Sequence, residues 1–255
     1  MPKLLGVALG FLRVVVLIFV LVIGLLVTLL AGLLPGRMGG ARPAGWVATG
    51  LARCFCTILN VRVRCSAPQS FRQHRGLIFP NHLTYLDIIA LLSQHPVRFL
   101  SAAEVKNYPI IGWIAAAIGC LFVARDNQAS REQARVEIAA QLRRNPEPPL
   151  ILFPEGRVGP GNALLPFRHG AFELASENRI AYLPCALRYT PQAIARWYAD
   201  EGLVAAIWRL ASFPGPLRVD VILLPVVQPQ PADAAEQLAA ATQAHIANAL
   251  GLDLK

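Results

Sequence analysis

Among the chain's five histidines, His82 is the one whose neighbours suit it for chemistry. It stands in Leu77-Ile-Phe-Pro-Asn81-His82-Leu-Thr-Tyr-Leu-Asp87-Ile-Ile. The spacing predicts a strand ending at Pro80, a turn carrying Asn81 and His82, and a helix opened by Thr84. Sites in sheets of this kind gather at the C-terminal ends of strands. An imidazole there accepts a proton near neutrality. A carboxylate on its other ring nitrogen fixes the tautomer and stabilises the imidazolium that forms. Asp87 sits among Leu86, Ile88 and Ile89, where a carboxylate needs a partner. Taken alone the HxxxxD pair also fits a blander account, with a histidine capping a helix and an aspartate satisfying the backbone.

Three further segments follow in order: Gly119-Cys-Leu-Phe-Val-Ala-Arg125, Phe153-Pro-Glu155-Gly156 and Leu183-Pro-Cys-Ala-Leu187. With Asn81-His82-xxxx-Asp87 they resemble the four ordered motifs of the glycerolipid acyltransferase family. That family includes 1-acylglycerol-3-phosphate acyltransferases and bacterial lyso-ornithine lipid acyltransferases. The resemblance is close over residues 76–190. It implies His82 as general base toward a lysolipid hydroxyl, with Asp87 orienting it. It further implies acceptor contacts from Asn81, Arg125, Glu155 and Gly156, to which Arg157, next in the chain, is added as a candidate of this sequence's own. The donor it implies is acyl-CoA or acyl carrier protein, with direct transfer and neither metal nor cofactor.

Two departures bear on the acceptor. The family's third motif usually continues Gly-Thr-Arg, but here Gly156 is followed by Arg157 and Val158. The lysine common upstream is Ala102. Each missing cation removes a charge-assisted contact of about 1.5–3 kcal/mol to a phosphate. Either Arg157, Lys106 or Arg168 substitutes, or the acceptor is not a phosphate monoester. Lysophosphatidate is the default acceptor, and lyso-ornithine lipid or another lysolipid the alternative. A serine lipid hydrolase is disfavoured because no GxSxG occurs. A non-catalytic lipid-binding protein would have no need of the intact His82, Asp87, Arg125 and Glu155.

The elements that must position these residues alternate. Short β-rich runs fall at 61–64, 76–79, 97–100, 120–123, 150–153, 181–189 and 217–224. Helical patterns separate them: a capping box Ser130-Arg-Glu-Gln133 opens a helix ending at Arg144, Thr190-Pro191 reads as an N-cap with proline following, and residues 231–250 form a closing helix stopped by Gly251. Strand–helix alternation predicts an α/β domain with a mainly parallel mixed sheet flanked by helices. The aliphatic stretch 110–123 is core, with an acyl groove as the rival reading.

Composition says where this domain works. Apolar residues make up 55% and charged ones 15% of 255, which suits a protein that meets lipid. Residues 14–34 carry no charge and would span about 31 Å as a helix, near the ~30 Å bilayer core. That run is too long for the core of a cleaved signal peptide. A second apolar stretch, 46–61, is interrupted by Arg53 and suits the interface. The two form either a spanning helix with an interfacial partner or a hairpin in one leaflet. Residues 1–60 are thus a membrane-anchoring segment and 61–255 the acyltransferase domain. Arg37, Arg42 and Arg53 after the anchor place that domain on the cytoplasmic face of the inner membrane. The net charge of +9 suits anionic headgroups. Nucleic acid is not a partner, because the arginines are scattered with no basic stripe among aromatics. Five cysteines without paired spacing indicate neither a disulfide framework nor a zinc site.

Overall fold

A computed structural model describes residues 2–123, 128–198 and 200–253, with side chains described from residue 4 and, in the second stretch, from residue 132. The chain opens with α1 (Pro2–Leu33) and α2 (Pro43–Ile58). Next come β1 (Val61–Cys65), α3 (Pro68–Gln73), β2 (Leu77–Pro80), α4 (Leu86–Gln94) and β3 (Arg98–Ala102). A 3₁₀ turn (Ala103–Asn107), α5 (Ile111–Ala117), β4 (Leu121–Val123), α6 (Gln128–Arg144) and β5 (Leu150–Ile151) follow. The remainder is α7 (Gly170–Glu177), β6 (Tyr182–Thr190), α8 (Gln192–Ala195), α9 (Leu203–Ala211), β7 (Leu217–Leu223) and α10 (Ala235–Leu250).

All seven expected strands are present. They form one sheet in the order β1-β7-β6-β2-β5-β3-β4, parallel throughout except for the antiparallel pair β6–β7. β2 reads as an unbroken apolar run because both its faces are covered. Ile78 points into a layer shared with α2 and α4, while Leu77 and Phe79 point into one shared with α6, α7 and α10. Phe79, Phe172 and Tyr182 pack ring against ring in that second layer.

Three helix starts differ from expectation. α6 begins at Gln128, two residues before the capping box, whose Ser130 side chain lies outside the described residues. Thr190 is the last residue of β6, so Pro191 is the cap of α8. α10 starts at Ala235, since 230–233 make a turn in which Asp233 Oδ2 accepts from the backbone N–H of Gln230.

The N-terminal helices are built into the fold. Leu4–Leu33 is long and apolar enough to cross a membrane. Yet a stripe of Gly6, Gly10, Leu17, Gly24, Thr28 and Ala31 is buried from one end of the helix to the other. Spacings of three, four and seven put these residues on one face. That face lies on α9 near residue 10, on α2 at Gly24 and on α5 at Gly32. A Cβ at Gly24 would overlap Leu51 of α2, so glycine there permits the close approach. Arg13 donates to the carbonyls of Ala211 (3.0 Å), the last residue of α9, and Phe213 (2.7 Å) just past it. The opposite face exposes Phe11, Phe19, Leu26 and Leu30. α2 in turn packs on α4, and Arg53 donates to the carbonyls of Ser93 and Gln94 rather than lying free in an interface.

Candidate active site

β2 delivers Asn81 and His82 to the C-terminal edge of the sheet, and α4 returns Asp87 beneath them. His82 Nδ1 lies 2.7 Å from Asp87 Oδ2. The same oxygen accepts the backbone N–H groups of Leu83 (2.7 Å) and Thr84 (2.9 Å). Oδ1 accepts the Tyr189 hydroxyl at 2.6 Å. Asp87 is fully buried, and these four donors are the partners its environment requires. Its place in the first turn of a helix also favours a negative charge. The expected opening of this helix by Thr84 is not seen. α4 starts at Leu86, the capping N–H groups go to Asp87, and Thr84 Oγ1 is buried without a partner. A carboxylate facing Nδ1 makes that nitrogen the donor, leaving the lone pair on Nε2.

The imidazole stacks on Phe153, with centroids 4.0 Å apart and planes at 20°. The backbone of His82 is clamped on both sides. Its N–H donates to Glu155 Oε1 (2.6 Å) and its carbonyl accepts from Gly159 N–H (2.7 Å). Glu155 Oε2 accepts the N–H of Leu165 at 2.9 Å. Only 3% of Glu155 is exposed. Burial raises its carboxyl pKa, and the hydrogen bonds from His82 and Leu165 pull the other way. Both oxygens are thus engaged by backbone that shapes the site, where sequence reasoning expected a headgroup contact. Asn81 differs in the same way: Oδ1 accepts from Leu187 N–H (2.7 Å) and Nδ2 donates to Leu187 carbonyl (3.2 Å), tying the end of β2 to β6.

Gly156 has φ +71°, and a Cβ there would stand 2.6 Å from Arg168 Nε. Glycine is needed both for the backbone and for the arginine lying across it. A cavity of about 1000 Å³ opens beside His82. Phe99, Val105, Val123, Ile138 and Leu152 supply apolar wall, while Arg157, Arg168 and His169 also line it. Gly156, Val158 and Ala102 line it too, but Lys106 does not. Within the 110–123 stretch only Val123 lines this space; Ile118 and Cys120 are buried in the core, whereas Ile110, Ile111 and Trp113 are exposed. Arg135, another lining residue, is paired with Glu173 at 2.9 Å. Arg125 lies outside the described residues. Cys120 is buried, and burial pushes its thiol up to about 12, too high for a resting nucleophile.

Sequence reasoning missed Tyr189, Phe153 as a ring platform, and the amides of Gly159 and Leu165. Only Tyr189 left a signal. It alternates with Cys185 and Leu187 along β6, and a buried tyrosine must find a partner for its hydroxyl. Burial also pushes its phenol well above the ordinary value, which keeps it a donor to Asp87.

A histidine held by a buried carboxylate, at a cavity with an apolar wall, is an arrangement able to take a proton beside an apolar chain. Residues 62–188 match the family model described as Acyltransferase, and the chain belongs to that family. It is 29% identical over 191 residues to a 1-acyl-sn-glycerol-3-phosphate acyltransferase of Neisseria meningitidis, covering 73% of this chain and 71% of that one. It is 35% identical over 165 residues to a lyso-ornithine lipid O-acyltransferase of Pseudomonas aeruginosa, covering 63% and 61%. The crystal structure of the 1-acyl-sn-glycerophosphate acyltransferase PlsC from Thermotoga maritima shares the fold. Its TM-score is 0.72 at 17% identity, over 98% of this chain and 96% of that one.

Proposed function

We propose that this acyltransferase moves a fatty acyl group from acyl-CoA or acyl carrier protein to the free hydroxyl of lysophosphatidate, giving phosphatidate. His82 Nε2 takes the hydroxyl proton as the oxygen attacks the thioester carbonyl. The carbon–sulfur bond then breaks, and the departing thiolate takes a proton back from the imidazolium. Asp87 holds the ring and balances its transient charge. Arg157 and Arg168 face the phosphate, together with Arg125 on the strength of its motif. The observation that carries this reading is a 2.7 Å His82–Asp87 pair at a cavity with both an apolar wall and the side chains of Arg157 and Arg168.

Residues 1–60 attach the enzyme to the inner membrane, with residues 61–255 as the acyltransferase domain on the cytoplasmic face. Because α1 is packed on the protein along its length, its exposed face enters a single leaflet rather than crossing the bilayer alone. Lyso-ornithine lipid is the second reading, favoured by Val158 in place of the family arginine. A panel of lysolipid acceptors with both donors separates the two. Lysophosphatidate should be acylated, and Arg157→Ala should raise its KM roughly ten-fold or more with the donor KM unchanged. Acylation of a zwitterionic lysolipid with lysophosphatidate inert would reverse the choice.

A further inference from the structure

The segment joining β3 to β4 has a feature the acyl-transfer reading does not use. After the 3₁₀ turn, Tyr108, Ile110, Ile111 and Trp113 are all exposed, with Tyr108 and Trp113 each more than half so. Ile110 has φ +67°, a conformation that a β-branched residue adopts only when its surroundings impose it. Gly112 lies in the same tight turn, since a Cβ there would collide with the carbonyl of Lys106. The backbone is therefore bent at a cost, and the result is four large apolar side chains turned to solvent within six residues.

Two neighbours indicate what covers them. α5 packs on the C-terminal part of α1, with a Cβ on Gly32 falling 3.6 Å from Ala117 Cβ. The patch is thus carried by an element packed directly against α1, the helix whose other face is exposed and apolar. Tyrosine and tryptophan are the residues that settle at headgroup level, and isoleucine belongs deeper. The same segment also reaches the His82 cavity: Val105 lines it, next to Ser101 and Ala102 at the end of β3, as does Ile88, one residue from Asp87 and itself exposed.

We infer that residues 103–117 are a second membrane-docking element, seated in the lipid interface beside α1, and form the sill over which the lysolipid passes from the bilayer to His82. An acceptor drawn laterally from the leaflet keeps its acyl chain in an apolar setting throughout, passing between Ile88 and Val105. This inference rests on the lysolipid reading above, and its test separates the two.

The test compares the enzyme with a Tyr108→Ser, Ile111→Ser, Trp113→Ser variant. All three side chains are exposed and outside the cavity lining, so the fold should survive, which a thermal melt verifies. Rates are measured on long-chain lysophosphatidate in anionic phospholipid vesicles and on a short-chain lysophosphatidate dissolved as monomer. The variant should lose roughly ten-fold or more in kcat/KM on vesicles. On the monomeric acceptor it should stay within about two-fold of the parent. A second readout needs no activity. A protein carrying Trp46→Phe, Trp197→Phe and Trp208→Phe keeps Trp113 as its one tryptophan, and brominated lipids should quench it in those vesicles. Equal losses on both acceptors, or an unquenched Trp113, would overturn the inference. If neither acceptor is turned over by the parent, the lysolipid reading fails while quenching still reports docking.

Discussion

Asp87→Asn distinguishes the observed arrangement from a generic His–Asp pair. Oδ2 faces two backbone N–H groups that cannot turn away, besides His82 Nδ1, whereas Oδ1 faces a hydroxyl that can rotate. An asparagine must therefore place its oxygen where Oδ2 was and its NH₂ toward Tyr189, which turns to accept. His82 keeps its Nδ1–H tautomer. What is lost is charge: a bond to an ionised acceptor is worth about 1.5–3 kcal/mol against about 0.5–1.5 for a neutral one. The difference of about 1–2 kcal/mol predicts a fall in kcat of roughly 5- to 30-fold with both KM values unchanged. The Tyr189 proton and one amide hydrogen are left buried without acceptors, so stability should fall by about 1–3 kcal/mol. Initial rates and a thermal melt measure both. A loss near ~10⁴-fold, the size expected of a reversed tautomer, would refute the reasoning. So would undiminished turnover.

Glu155→Gln must turn its NH₂ toward the amide of either His82 or Leu165. It should lower kcat roughly ten-fold while the acceptor KM holds, whereas a headgroup-binding Glu155 would raise that KM. Cys120→Ala should be nearly silent, and initial-rate plots should intersect, because a thiol pushed up to about 12 is protonated at working pH. Ping-pong kinetics or an acyl group recovered on Cys120 would contradict direct transfer.

Strands were legible because each is short, β-rich and bounded by turn chemistry, and β2 shows double burial as an unbroken apolar run. The 82–87 pairing was legible because a strand end and a helix start fix both residues within one local turn. Other features depend on contacts across long stretches of chain. Nothing near Glu155 in sequence announces that its oxygens serve residues 82 and 165, or near Asn81 that its amide serves Leu187. The setting of α1 was equally hidden. An apolar run of that length satisfies a bilayer or a protein surface alike, and only the stripe of small residues from Gly6 to Ala31 records which side meets protein. Cap motifs misplaced helix starts by a few residues because other local contacts, such as Asp87 taking the amides ahead of α4, outweighed the cap signal.

The central claim is that His82 is the base for acyl transfer, and the most direct measurement is the turnover of His82→Ala with a long-chain acyl donor and lysophosphatidate in vesicles. The backbone clamps on residue 82 use only N–H and C=O, so the variant should fold, melt near the parent temperature and still bind vesicles. Its kcat should fall by about 10²–10⁴-fold or more, the worth of a positioned base. A folded, membrane-bound His82→Ala enzyme that turned over within a few-fold of the parent would contradict the account.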